Sequence, residues 1–496
     1  MPSLEPPRRV IATPMGARLA AVASRPGGLW LETAQGAQDA PAWSFVSAEP
    51  ALWIRGAGSF LEVLPGPRGD RGWLDRVCRA DPGPGPAFER LQLIARRLRI
   101  SPSTSEPRGP GAPPPFRGGL AGCFSYDLGR RFEELPAHRQ PELSWDFLLG
   151  LYDEVIAVCA DTGEFRHDSL PGSSCDLLQL WQGYGSGHLA SAEPSAGITG
   201  PLRAELDEGS HREAVERIQE HICAGTIYQA NLTFRCRAPC SDPEAPLATF
   251  LRLRRDNPAP YAAYMDLPGA AVVSTSPESF LELHRSGEVR SRPIKGTTGR
   301  ALASPDEDAA ARETLLSSAK DRAELAMIVD LVRNDIGRVC SPGSVNRCPE
   351  LVAEAHPSVW HLVGNVTGRL SEGRDAFDLL RASFPPGSCI GAPKLRAMAI
   401  LEELEASSRG PYTGAIGWLG LDGTMCLSVA IRTIVFADGT ASYGVGGGIV
   451  YDSVPEAEWQ EALLKGRALA AALLPSDPPQ DSPHVRGGAG PVEPRP

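Results

Sequence analysis

Short apolar runs broken by turns fill the chain up to about Pro201, as in LWLETA, WSFVSA and LYDEVIAVCA. Runs of this length between turn residues predict strands of an antiparallel sheet, with few helices. From Glu205 onward the pattern changes, and helical spacing alternates with strands. Ser210 and Glu213 have the S-x-x-E spacing of a capping box. Val215, Ile218 and Ile222 follow at helical intervals, and Gly225 stops that helix. In IYQANLTFRC, alternation puts Ile227, Gln229, Asn231 and Thr233 on one face of a strand. The two amides on that face suit a cavity or solvent.

A long helix is predicted from Asp321 to Arg338, with Leu325, Ile328, Val329, Val332, Ile336 and Val339 as its apolar stripe. Glu324 lies on the border of the stripe. Another helix begins near Pro455, a good first-turn residue, behind Ser453 and with Glu456. On it Glu458, Glu461 and Lys465 fall at i, i+3 and i+7, one narrow polar stripe. FPPGSCIGAPK (384–394) is a turn leading into a helix that opens at Pro393.

Pro/Gly/Ser-rich stretches divide the chain into a strand-rich N-terminal region (1–184, with a linker-like segment at 101–115), a linker (185–201), a catalytic region (202–474) and a disordered tail (475–496). No internal repeat is seen. At 496 residues, 42% hydrophobic and 22% charged, the chain is that of a soluble globular protein large enough to bury a core without disulfides or a structural metal.

The net charge of −11 argues against a nucleic-acid partner, although an anionic substrate needs only a few placed cations. No run is long enough to span a membrane. The apolar stretch after Arg8 and Arg9 is broken by Pro14 and Arg18, which reads as no signal peptide. Eleven cysteines, an odd number with no CxxC pair, read as reduced thiols in a cytoplasmic protein.

Several positions invite chemistry. Glu278 closes the run AAVVSTSPE, and Lys295 sits in PIKGT, an odd guest in an apolar strand-and-turn context. Burial would free the lysine amine as a nucleophile and keep a proton on the glutamate. Either residue taken singly reads more simply as a surface charge. The Glu458, Glu461 and Lys465 stripe reads as a solvated face with an i,i+4 pair, or as a carboxylate site converging with Glu324 on a hard divalent cation. Spacing alone favours the solvated face. The glycine run GVGGGIV (444–450) could let backbone amides approach an anion, but lacks the spacing of a dinucleotide fingerprint. Ser388, beside a helix start, suits a carboxylate or phosphate.

Taken in order, PFRGGLAGCFSYDLGRRFEELP, IYQANLT, SPESFL, RPIKGT, KDRAELAMIVDLVRND, HLVGNVTGRL, FPPGSCIGAPKLRAM, GPYTGAIGWLG, VAIRT and GGGIVYDSVPEAEWQEALLKGRAL resemble the blocks of the chorismate-utilising enzymes. That family comprises the first components of anthranilate and aminodeoxychorismate synthases and the isochorismate and salicylate synthases. The resemblance covers roughly residues 115 to 470. It implies an α+β fold in four layers, β-α-α-β, with two large antiparallel sheets.

By the same resemblance Glu324 and Glu461, with Glu458 nearby, hold Mg2+. Tyr412 and Arg432 bind the enolpyruvyl carboxylate of chorismate. Lys465, Ser388 and the amides of Gly446, Gly447 and Gly448 support substrate carboxylates, and His361 lies near the ring. Gln229 stands where isochorismate-type members carry a lysine that activates water. PIKGT stands where anthranilate synthases generally read PIAGT. The lysine therefore points to the aminodeoxychorismate synthase branch, in which Lys295 is the nucleophile and Glu278 the acid.

That branch aminates chorismate at C4, on the way to 4-aminobenzoate and folate. Ammonia comes from a separate glutamine amidotransferase subunit, since no cysteine-histidine hydrolase block is present here. The alternatives are anthranilate synthase component I and a catalytically silent chorismate-binding subunit. Ser279, Gly299, Pro386, Ile390 and Cys426 depart from the family's usual residues.

Overall fold

Both faces of most strands are apolar, and this decides how the layers stack. In the computed structural model, residues 14–33, 42–100, 115–136, 141, 143–160, 162–183, 197–347, 351–356 and 358–474 are described. The linker-like segment apart from Pro115, most of the 185–201 linker and the tail lie outside them.

Among the described residues two large sheets, of eleven and ten strands, are antiparallel throughout, as expected of the α+β class, with Arg203–Ala204 of the first lying off its main path against Gln229–Pro239. One runs Gly391–Ala392, Gln229–Pro239, Thr440–Ile449, Thr433–Ala437, Ala270–Ser276, Tyr261–Leu267, Leu29–Glu32, Trp43–Ser47, Glu154–Cys159 and Phe165–Ser169. The other includes Ser279–Leu283, Met425–Val429, Ala415–Gly420, Gly119–Phe124, Phe147–Tyr152 and Leu52–Ala57 in that order. A small third sheet joins Ile294–Gly299, Val359–Val363 and Val352–Ala355.

The layer order differs from the expected β-α-α-β. Alternate residues of the first sheet (Leu29, Phe45, Val155, Met265, Val272) meet Cys123, Leu148, Ile416 and Trp418 of the second in one apolar cluster. Their neighbours (Trp30, Val46, Ile156, Tyr264, Val273) pack outward on the helices Pro14–Ala23, Ala245–Asp256 and Pro455–Leu473. The second sheet's outward residues (Ile54, Phe124, Leu149, Leu427) meet the helices Arg71–Ala80, Ala87–Leu98, Ala319–Gly337 and Ala376–Ser383. The sheets therefore face each other with helices outside, because strands apolar on both faces need a layer on each. Each large side chain buried there contributes roughly 1.5–3 kcal/mol.

The N-terminal strands do not form a sheet of their own. Leu31 pairs with Ala263, and Gly122 with Gly417, so strands from before residue 184 are built into both large sheets. Among the described residues four α-helices also lie in this stretch, more than its spacing suggested: Pro14–Ala23, Arg71–Ala80, Ala87–Leu98 and Leu177–Gly183.

The helix Glu208–Cys223 is capped by Asp207, whose side chain accepts from the Ser210 amide, instead of by a Ser210–Glu213 box. A carboxylate at that position satisfies a free amide and complements the helix dipole one turn earlier than serine would. The predicted Asp321 helix runs Ala319–Gly337 from a Ser318 cap, and the last helix starts at Pro455 as expected.

Candidate active site

The strand Gln229–Pro239 carries the first part of the site. Thr233 faces inward, its amide and hydroxyl donating to Glu405 at 3.0 and 2.8 Å. Ala230 and Leu232 turn to the helix side, and Ile227, which precedes the strand, packs with them and not with the amides. Gln229 is 1% exposed, and neither its Oε1 nor its Nε2 has a hydrogen-bond partner. A buried amide left unpaired costs free energy that a ligand can restore.

The neighbouring strand Thr440–Ile449 contains the glycine run, with Gly448 opposite Asn231 and Gly446 opposite Thr233. The glycines make room on both faces of this strand. A β-carbon on Gly448 would fall 2.3 Å from Gln229 Nε2 and 3.7 Å from Lys295 Nζ. On Gly447 it would fall 3.1 Å from Glu458 Oε2, 3.8 Å from Lys465 Nζ and 3.9 Å from Glu461 Oε1. On Gly444 it would overlap the Tyr412 ring at 2.2 Å. Six side chains predicted from four motifs thus lie along one strand.

The polar stripe of the last helix is intact. Lys465 bridges Glu461 at 2.8 Å and donates to the Gly446 carbonyl at 3.0 Å. Burial raises the Glu458 carboxyl, opposed by a 2.7 Å bond from Ser453 and reinforced by the charge of Glu461. Burial acts on Glu461 too, but Lys465, Lys320 and Lys295 together hold it below its ordinary value. Lys320, unnoticed in the sequence, stands one turn before Glu324 on the helix Ala319–Gly337, so the two share a face. Glu324 itself is half-buried.

Among the described residues no group of three or more acidic, His or Cys side chains stands close enough to hold a metal. The Glu458–Glu461 pair nevertheless fits Mg2+, which takes one or two carboxylates and completes its shell with water and substrate oxygens.

Glu278 lies two residues past the strand Ala270–Ser276 and is 5% exposed. Burial lifts its carboxyl from 4.5 to about 7, against the opposing pull of the Ser388 side chain, the Lys295 charge and the Ile294 amide. Glu278 and Ser388 also line a small cavity with Ser383, Asp335 and Pro386. Lys295 follows Ile294 in the third sheet, where the register shifts between Ile294 and Thr297.

Opposite Thr297 stands His361, whose Nδ1 lies 2.9 Å from the Thr297 hydroxyl. Burial, then the charges of His356 and Arg432, push the imidazole of His361 down to about 3, so it is neutral. Arg432 is itself lowered by burial, and its backbone has φ 49°. Thr413, next to Tyr412, has φ 60°. For a β-branched residue that is a true outlier, and strain of this kind gathers at functional sites.

One residue that the sequence reading passed over ties these segments together. Arg409, 3% exposed, donates to Glu405, the Cys389 carbonyl, the Thr413 hydroxyl and the Asn231 carbonyl. Two departures from the family pattern also meet: Ser279 donates to Glu282 at 3.1 Å, and Cys426 is the register partner of Glu282.

The order of the motifs along the chain can be compared with known proteins. The sequence profile of the chorismate binding enzymes matches residues 84–471. The chain belongs to that family.

Within the chorismate binding enzymes it is 44% identical over 353 residues to aminodeoxychorismate synthase component 1 of Klebsiella aerogenes, covering 71% of this chain and 76% of that one. It is 39% identical over 365 residues to anthranilate synthase component 1 of Thermus thermophilus, covering 73% and 78%. In structure it resembles anthranilate synthase component I from Streptococcus pneumoniae TIGR4, with TM-score 0.71, 27% identity and coverage of 86% and 91%.

Proposed function

We propose that this chorismate binding enzyme replaces the C4 hydroxyl of chorismate by an amine, giving 4-amino-4-deoxychorismate for 4-aminobenzoate and folate synthesis. The observation that carries the reading is the meeting of Lys295 and Gln229 at Gly448, with the buried Glu278 within reach of the Lys295 charge and poised to hold a proton.

The Lys295 nitrogen adds to C2 of the ring while Glu278 protonates the C4 hydroxyl, which leaves as water. Ammonia then adds at C4 and the lysine is expelled, so two easier displacements replace one difficult one. The departing proton of the ammonia-derived nitrogen can return to Glu278, restoring the acid. Gln229, in place of a lysine, leaves no group to activate water at C2. Tyr412 and Arg432 receive the enolpyruvyl carboxylate, with Ser388, Lys465 and the amides of Gly446, Gly447 and Gly448 on the remaining oxygens and His361 near the ring. Glu324 and Glu461, with Glu458 nearby, would hold Mg2+, which would offset the substrate's charge.

Ammonia is supplied by a separate glutamine amidotransferase subunit, a reading supported by relatives named as component 1. The free buried thiols, such as Cys123 and Cys236, suit a reducing compartment, the cytoplasm.

The test is incubation of the purified chain with chorismate, Mg2+ and an ammonium salt, followed by mass spectrometry. Aminodeoxychorismate, retaining its enolpyruvyl group, supports the reading. Anthranilate with released pyruvate overturns it in favour of the Thermus relative's activity.

A further inference from the structure

His356 sits in the turn of the hairpin formed by Val352–Ala355 and Val359–Val363. Its backbone is fixed on both sides: its amide donates to the Val359 carbonyl at 2.8 Å, and Arg300 donates to its carbonyl at 3.3 Å. The register puts Glu354 opposite His361. Alternation then sends His356 to the face that carries Glu354, His361 and Thr297. The two imidazoles meet edge to face with ring centres 4.8 Å apart.

What this cluster lacks is a partner for its donors. The Nε2 atom of His356 is buried without a hydrogen-bond partner. Arg432 forms no ion pair among the described residues, and burial alone lowers it. Glu354, the carboxylate on the same face, is taken by Arg292. Thr275, whose amide donates to the Arg432 carbonyl at 3.0 Å, also has a buried hydroxyl with no partner. Unpaired buried donors beside an uncompensated guanidinium call for an anion with more than one acceptor oxygen.

We propose that His356 is a further substrate-contacting residue, whose Nε2–H donates to the same carboxylate that Arg432 receives. This rests on the reading of Arg432 given above. A neutral imidazole suits the task, since it adds a donor without adding a second buried charge beside Arg432. The ring also holds His361 by its edge, and these two roles separate on substitution. Phenylalanine keeps a ring against His361 and removes Nε2; alanine removes both; glutamine restores a donor.

The experiment is steady-state kinetics of full-length His356→Phe, His356→Ala and His356→Gln at saturating ammonium, with direct chorismate binding by calorimetry. A lost hydrogen bond to a charged group raises KM for chorismate roughly tenfold or more. That rise is expected in the phenylalanine and alanine variants alike, with kcat changed less than about twofold and partial recovery in the glutamine variant. A phenylalanine variant with wild-type KM and wild-type affinity overturns the proposal and leaves His356 as packing for His361. If the unmutated chain makes no aminodeoxychorismate, the proposed function fails instead. The calorimetric comparison then still decides for or against the His356 contact.

Discussion

Two buried polar clusters lie within one strand of each other, and they are built on opposite terms. Around Arg409 each group finds a partner: Glu405 takes the guanidinium and both donors of Thr233, while two carbonyls and the Thr413 hydroxyl take the remaining N–H groups. The Tyr126 ring lies 4.7 Å from the guanidinium carbon. Among the groups assigned to the substrate the reverse holds. Gln229 is unpaired at both ends, Arg432 has no carboxylate among the described residues, and Glu278 is buried without a full countercharge.

A satisfied cluster rigidifies, and an unsatisfied one waits for a ligand. The first ties the strand of Gln229 to the segments that carry Ser388 and Tyr412, and so sustains the second. Substitutions in the two should therefore fail differently, one in stability and the other in turnover.

The largest effect is expected from Lys295→Ala. Amination should fall on the order of 10,000-fold, about 5 kcal/mol of activation free energy, while the thermal midpoint stays within a few degrees. Loss of folding along with activity would show that the lysine is structural and would break the contrast. Arg409→Met should act the other way, costing about 3–5 kcal/mol of stability in urea unfolding because Glu405 is left buried and unpaired. Replacing Glu405 by leucine as well should recover much of that loss. A variant as stable as the parent would deny the network its scaffolding role.

How far these clusters could be read in the sequence depends on distance along the chain. The strand alternation that aligned Gln229 with Thr233, and the helical spacing of Glu458, Glu461 and Lys465, are local rules; the second held, and the first failed at Ile227, which precedes the strand. Glu278 and Lys295 stood out as charges in apolar company. Arg409 and Lys320 did not, because their partners lie far off in sequence: Arg409 reaches back 178 residues to Asn231. The layer order was illegible for a related reason. Apolar residues on both faces of a strand announce burial without naming which neighbour, sheet or helix, lies on which side. The departures Ser279 and Cys426 looked unrelated until the register brought both to Glu282.

The contrast sharpens further at Glu278. Its folded-state value of about 7 exceeds the ordinary 4.5 because of burial. Stability from this group is full below 4.5 and is lost as pH rises through about 7. The loss amounts to roughly 3 kcal/mol. Glu278→Gln should remove it and flatten unfolding free energy between these limits, while lowering turnover on the order of 1,000-fold. In the active enzyme the same group should give a basic limb, with kcat falling above a pH of about 7. The smallest expected effect is that of Ser388→Ala. Ser388 lowers Glu278, so its loss should move that limb to higher pH, with kcat/KM down about tenfold, or about 1.4 kcal/mol. A limb that stays in place would separate Ser388 from the acid.

The pairing of Leu29–Glu32 with Tyr261–Leu267 also bears on how the molecule is made. A ribosome adds roughly 5–20 residues per second, so the first strand waits on the order of tens of seconds for its partner. The strand Thr440–Ile449, between Gln229–Pro239 and Thr433–Ala437, arrives later still. Until it emerges, that sheet has an interior gap and exposed edges. Expression of either half alone should therefore yield aggregate, read as loss of soluble protein.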